Sequence, residues 1–270
     1  MKKKYRRKSR KNQNKGLFYG IRRKYKKFLR RIRPLSICIL CVTIFCTIWS
    51  LYNIINSTYP QKERTTFLSD DYNGIDVSKY QGKIDWKKVS SDSKIQFVYI
   101  KATEGAGQVD NKYHDYVDDA RKEGLKIGSY HYFIGRKSAK DQFCNFKKHI
   151  DKHTQDLIPM VDVEEVGNSS ISRDELQRNL NEFMQLVKLE YGRYPLLYSQ
   201  YRFYKEKLSP EFDKYFLFIA RYGKNPPTLN NSGTHNIWQY TEKGKIPGIN
   251  GYVDLDRFCN GTTLSDIEFL

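Results

Sequence analysis

The chain has 270 residues, with 48 Lys and Arg against 30 Asp and Glu and a formal net charge of +18. The charge is uneven: residues 1–34 hold 17 basic side chains and no acidic one, which leaves 31 basic against 30 acidic over residues 35–270. The chain is a nearly neutral body behind a basic arm, so the overall charge describes the arm; cysteine is used sparingly, and the chain beyond the arm is long enough for one sizeable domain.

The arm, 1–34, runs directly into Leu35–Ile55, 21 residues without a charge. At about 1.5 Å per residue a helix of this length spans roughly 30 Å, the hydrocarbon thickness of a bilayer. Seventeen basic residues precede it and only Lys62 and Arg64 follow closely, so the positive-inside rule predicts a single-pass anchor in the cytoplasmic membrane, N-terminus inside and the remainder outside. The rival, a cleaved signal peptide, calls for a shorter apolar region and an A-x-A-like site. Tyr5, Phe18, Tyr19, Tyr25 and Phe28 are interleaved in the arm, but it carries no recognisable nucleic-acid module. Attraction to anionic headgroups accounts for the same residues, so the lipid bilayer is the expected partner and nucleic acid is not.

Residues 56–72 are polar and aperiodic and read as a tether; 73–270 read as one folded domain. Its elements alternate. Gly74–Ser78 is a short strand, Ile84–Val89 a short helix with Asp85 as cap, and Phe97–Gly105 a second strand. Tyr113–Glu123 is a helix stopped by Gly124, Lys126–Phe133 a third strand, and Ser138 caps a helix with Phe143, Phe146 and Ile150 on one face. Ile158–Glu165 is strand four. Ser172 and Glu175 form a capping-box pattern ahead of the stripe Leu176, Leu180, Phe183, Met184 and Val187, and Tyr194–Ser199 is strand five. Phe216–Tyr222, Asn236–Tyr240 and Gly251–Leu255 are three more strands, joined by Pro- and Gly-containing connections without room for a helix. Five strand-helix units followed by three strands predict an α/β fold, an irregular TIM-like barrel. Cys144 and Cys259 fall on distant sectors of that layout, which favours two free thiols.

In parallel α/β barrels the chemistry sits at the carboxyl ends of the strands. Those ends supply Asp76, Lys101 with Glu104, Tyr130 or Tyr132, Asp162 with Glu164, Tyr198, Arg221, Gln239 and Asp254. Any single acid here is as well explained by capping or a turn. Four that converge, without His or Cys ligand clusters, point to a carboxylate-based hydrolase. Asp162 and Glu164 lie two apart on one strand, about 6.6 Å along the backbone, so they face the same way and one pKa is pushed up.

The motifs Gly-Ile-Asp-Val-Ser at 74, Ile-Lys-Ala-Thr-Glu-Gly at 100, Gly-Ser-Tyr-His-Tyr-Phe at 128, Val-Asp-Val-Glu at 161, Leu-Tyr-Ser at 197, Ile-Ala-Arg-Tyr at 219, Ile-Trp-Gln-Tyr at 237 and Val-Asp-Leu-Asp at 253 occur in one order. Together they resemble the glycoside hydrolase family 25 lysozymes, the Chalaropsis-type muramidases, over residues 73–261. The resemblance implies the barrel already read from spacing, no metal and no organic cofactor. It also implies cleavage of the β-1,4 bond between N-acetylmuramic acid and N-acetylglucosamine in peptidoglycan glycan strands.

Carried onto matching positions, it makes Glu164 the general acid and Asp162 its partner toward the 2-acetamido group. Asp76 and Asp254 are the further catalytic acids. Tyr130, Tyr132, Glu104, Tyr198, Arg221 and Gln239 are candidate substrate contacts. Asp256 departs from the family pattern, where asparagine is common. The carboxylate spacing lies at the lower edge for inverting enzymes without excluding retention, and a D-x-E pair on an acetamido sugar also suits substrate-assisted catalysis, the preferred route. Two alternatives stay open: a wall-binding tether that does not cleave, and a hydrolase of another N-acetylated glycan such as chitin.

Overall fold

The computed structural model describes residues 71–229 and 234–269, together with Lys24, Thr47, Trp49 and Ser50. Among the described residues no helix is long and apolar enough to cross a membrane. The arm, the apolar segment 35–55 and the tether up to residue 70 otherwise lie outside the described residues. Within the unit Thr66–Leu270, Tyr72 is already part of the hydrophobic core and Asp71 receives a hydrogen bond from Arg257.

Among the described residues nine strands form one sheet: β1 (Gly74–Val77), β2 (Phe97–Glu104), β3 (Gln108–Val109), β4 (Ile127–Tyr132), β5 (Met160–Asp162), β6 (Leu196–Gln200), β7 (Leu217–Ala220), β8 (Ile237–Gly244) and β9 (Val253–Phe258). Their order is β1-β9-β8-β7-β6-β5-β4-β2, and β1 also pairs with β2, so eight strands close into a barrel with the two-residue β3 folded back on β2 as a hairpin. Strands β1 to β8 of the barrel run parallel, whereas β9 is antiparallel to both neighbours. This corrects the reading that took Asp254 from a strand's carboxyl end, as in a parallel barrel. The short link after β8 has no helix to carry the chain back to the opposite end, so β9 must return as a hairpin.

Helices α1 (Trp86–Ser90), α2 (Tyr113–Lys122), α3 (Ala139–His149) and α4 (Arg173–Tyr191) follow β1, β2, β4 and β5; α5 (Tyr201–Phe203) continues into a π-helical turn at Tyr204–Leu208 after β6, and α6 (Leu264–Ile267) lies past β9. Asp85, Ser138 and Ser172 accept backbone N–H bonds at the starts of α1, α3 and α4, and Gly192 ends α4 at φ 79°. The N-caps named from sequence, Asp85, Ser138 and Ser172, therefore act where expected.

Alternation along the strands separates two apolar layers. Ile75, Val77, Val98, Ile100, Val161, Leu197 and Ile219 face outward and share a core with Leu176, Leu180, Phe183, Met184 and Val187 of α4. Phe97, Tyr99, Tyr130, Met160, Leu196, Tyr198, Phe218 and Ile237 face inward and fill the barrel. The interior is crowded: a Cβ on Gly74 would stand 2.3 Å from the Phe97 ring, and one on Gly128 2.4 Å from Tyr99. Glycine at these two inward positions admits aromatics that plug the barrel below the site. Cys144 and Cys259 are free thiols.

Candidate active site

Above that plug a cavity of about 340 Å³ opens at the carboxyl ends of β1 to β8. The inward parity of β5 runs Met160, Asp162, Glu164, so both members of the D-x-E pair line this cavity. Asp76 lines it from β1, Tyr130 and Tyr132 from β4, Tyr198 from β6, and Gln239 from β8. Asp254 joins them from the amino end of β9 because that strand is antiparallel, not from a carboxyl end as its position in an all-parallel ring would require.

The D-x-E pair is held tightly. Asp162 is only 6% exposed, and its Oδ1 has no hydrogen-bond partner. Burial raises its pKa well above the ordinary carboxyl range, with the Glu164 charge adding to this. Burial also raises Glu164, while a hydrogen bond from Asp162 and the nearby Lys101 charge act in the opposite direction. Burial raises both carboxyls, so the pair holds a proton between them. Gln200 Nε2 donates to Glu164 Oε2 at 3.1 Å, and Asn168 Nδ2 donates to the Glu164 main-chain carbonyl at 2.9 Å.

Across the cavity, Gln239 Nε2 donates to Asp76 Oδ2 at 2.7 Å. The Gln239 Oε1 accepts from Tyr198 OH at 2.9 Å and from Tyr222 OH at 3.0 Å, which fixes the orientation of the amide. Burial pushes Asp76 up to about 7; Gln239 pulls it down and the Glu164 charge adds to the rise. Asp254 is raised well above its usual range by burial, then by Asp76, Glu242 and Glu164. The Tyr130 hydroxyl is raised by burial and then by the charges of Asp76, Asp162, Asp254 and Glu164, which places it amid all four acids.

Two expected contacts fall outside the lining. Arg221 has the outward parity of Ile219; its guanidinium lies 5.0 Å from the Tyr201 ring centroid and donates to Pro226 O at 3.0 Å. Its neighbour Tyr222, with the inward parity of Phe218 and Ala220, takes the place on the cavity wall. Glu104 reaches the site only through Lys101: the pair is 2.8 Å apart, Lys101 lines the cavity, and its Nζ lies 4.5 Å from the Tyr132 ring centroid. A register shift in the β2–β4 ladder between Lys101 and Thr103 displaces the residues beyond it, so simple alternation does not locate Glu104.

Tyr222, Gln200, Glu242 and Tyr80 also line the cavity and were not anticipated. For Gln200 and Tyr222 the signal was present, since each continues the inward phase of its strand by one step. Tyr80 and Glu242 had no comparable marker. Among the described residues no cluster of His, Cys, Asp and Glu is arranged to hold a metal ion.

The sequence profile of Glycosyl hydrolases family 25 matches residues 75–249. An uncharacterized protein of Escherichia coli K12, YegX, is 36% identical over 193 residues, 70% of each chain. The autolytic lysozyme of Clostridium acetobutylicum is 34% identical over 188 residues, 70% of this chain and 56% of that one. The solved structure of a family 25 glycosyl hydrolase from Bacillus anthracis superposes with a TM-score of 0.64 at 28% identity, covering 70% of this chain and 88% of the other. An eight-stranded barrel with one antiparallel strand, a buried D-x-E pair facing two further acids, and a profile match across most of the folded domain together show that this chain belongs to glycoside hydrolase family 25.

Proposed function

We propose that this glycoside hydrolase is a peptidoglycan hydrolase, an N-acetylmuramidase of the Chalaropsis type, cutting the β-1,4 bond between N-acetylmuramic acid and N-acetylglucosamine. The observation that carries the reading is the buried, proton-sharing pair Asp162 and Glu164 in a cavity that also holds Asp76 and Asp254. The relative named autolytic lysozyme supports the choice of substrate.

The preferred route is substrate-assisted. The free Oδ1 of Asp162 is an acceptor for the N–H of the substrate's 2-acetamido group. Once that N–H is engaged, the pair's proton passes to Glu164, which delivers it to the glycosidic oxygen as the C1–O bond breaks. The acetamido carbonyl oxygen bonds to C1 as the leaving sugar departs. In the second half, Glu164 as carboxylate takes a proton from the water that attacks C1, and the bond between C1 and the acetamido oxygen breaks. Asp76, titrating near 7, stands on the opposite wall and stabilises positive charge at C1 when ionised.

We also propose that residues 35–55 anchor the enzyme in the cytoplasmic membrane with the catalytic domain outside. The purified protein is tested on isolated peptidoglycan, with products resolved by mass spectrometry. The reading predicts fragments with N-acetylmuramic acid at the reducing end. N-acetylglucosamine at that end, binding without cleavage, or equal release from chitin overturns it.

A further inference from the structure

At 340 Å³ the cavity lies at the small end of ligand pockets, roughly 300–1,000 Å³. A polymeric strand cut there must continue over the surface. One edge of the opening is built differently from the rest. Tyr80, in the turn Lys79–Gln81 after β1, is 81% exposed and also lines the cavity; Tyr252, just before β9, is 51% exposed. Each ring has an ammonium against it: Lys79 Nζ lies 5.6 Å from the Tyr80 centroid, and Lys245 Nζ 5.4 Å from that of Tyr252.

These exposed rings sit on a fixed base. Gln81 Oε1 accepts from Ser78 N at 2.9 Å, while Gln81 Nε2 donates to Tyr252 O at 3.4 Å, so one amide links the two loops. Lys79 N donates to Asp110 Oδ2 at 3.0 Å, and the Tyr116 hydroxyl donates to Gly82 O. An aromatic exposed on a pinned turn has its backbone ordering cost met before any ligand arrives. The charge pattern adds a second selection. The cavity is acidic through Asp76, Asp162, Glu164, Glu242 and Asp254, whereas this edge presents two lysines.

We propose that Tyr80 and Tyr252, with Lys79 and Lys245, form a subsite for the glycan strand beyond the cut: the rings stack on the apolar face of a sugar, and the ammonium groups pair with carboxylates of the peptide stem it carries. This rests on the peptidoglycan reading and names the part of the substrate that selects it. Sugar stacking on a tyrosine face needs no charge, while stem recognition does, so the two halves separate experimentally.

The test compares Tyr252→Ala and Lys245→Ala with the wild type on intact peptidoglycan and on the same glycan after enzymatic removal of the peptides. Tyr252→Ala raises KM about three- to tenfold on both polymers, the size of one lost aromatic contact, with kcat within about twofold. Lys245→Ala raises KM on intact peptidoglycan alone. Unchanged KM for both variants on both polymers overturns the subsite, as does a loss confined to kcat. An effect of Tyr252→Ala alone overturns the stem half. Melting temperatures matched to the wild type exclude misfolding. A wild type that releases no reducing ends would defeat the peptidoglycan reading itself, a result distinct from any of these.

Discussion

Among the described residues Asp256 is the acid with least support. It is fully buried on β9, inward-facing beneath Asp254, and neither carboxyl oxygen has a hydrogen-bond partner. Burial raises its pKa well above the usual range, with Asp76 and Asp254 adding to the rise. The folded state thus keeps a proton that the unfolded chain releases near pH 3.9. Stability from this group is therefore lost as pH climbs from about 4 toward the folded pKa, and the loss levels off above it. Asp256→Asn keeps the shape and removes the titration. Urea unfolding of the two proteins is expected to show a gain of about 1–3 kcal/mol for the variant at pH 8, shrinking toward pH 4. A variant less stable than the wild type at pH 8 would show that the carboxyl has a role other than a tolerated buried acid.

At the scale of elements, the segment between β5 and α4 decides where Glu164 stands. Asn168, fully buried, binds it on three sides: Nδ2 donates to Phe133 O at 3.0 Å and to Glu164 O at 2.9 Å, while Oδ1 accepts from Gly135 N at 2.6 Å. Asn168→Ala leaves these backbone groups without partners. It is expected to cost about 1–3 kcal/mol in a thermal or urea melt and to lower kcat more than it raises KM, because the acid is displaced while the cavity walls remain. A larger effect on KM than on kcat would contradict that assignment. How much of this could be read in advance varies by element. The helices were legible because Ser138, Ser172 and Gly124 are local signals and α4 carries a clear apolar stripe. The D-x-E pair was legible because residues two apart on a strand share a face. Arg221 was misplaced because a strand end was read without following its parity, which gives the wall to Tyr222. The direction of β9 was missed although its cause is local: the short helix-free link after β8 returns the chain as a hairpin.

For the whole molecule, the proposal that residues 35–55 anchor the chain would set where the barrel works. On that proposal the 17 residues 56–72, taken as a flexible coil, would reach roughly 20–25 Å, which would keep the domain near the outer membrane face and suit remodelling of the producer's own wall. Fractionation of cells expressing the full chain is expected to place it in the membrane pellet, resistant to high salt and released by detergent. Its recovery from the medium with a new N-terminus after residue 55 would contradict the anchor. The catalytic account rests on one proton and one residue to deliver it. The most direct measurement compares reducing-end release from purified peptidoglycan by the wild type and Glu164→Gln, with matched melting temperatures. The account predicts a loss of at least about 100-fold in kcat for a variant that still binds the polymer; equal release by the two proteins would contradict it.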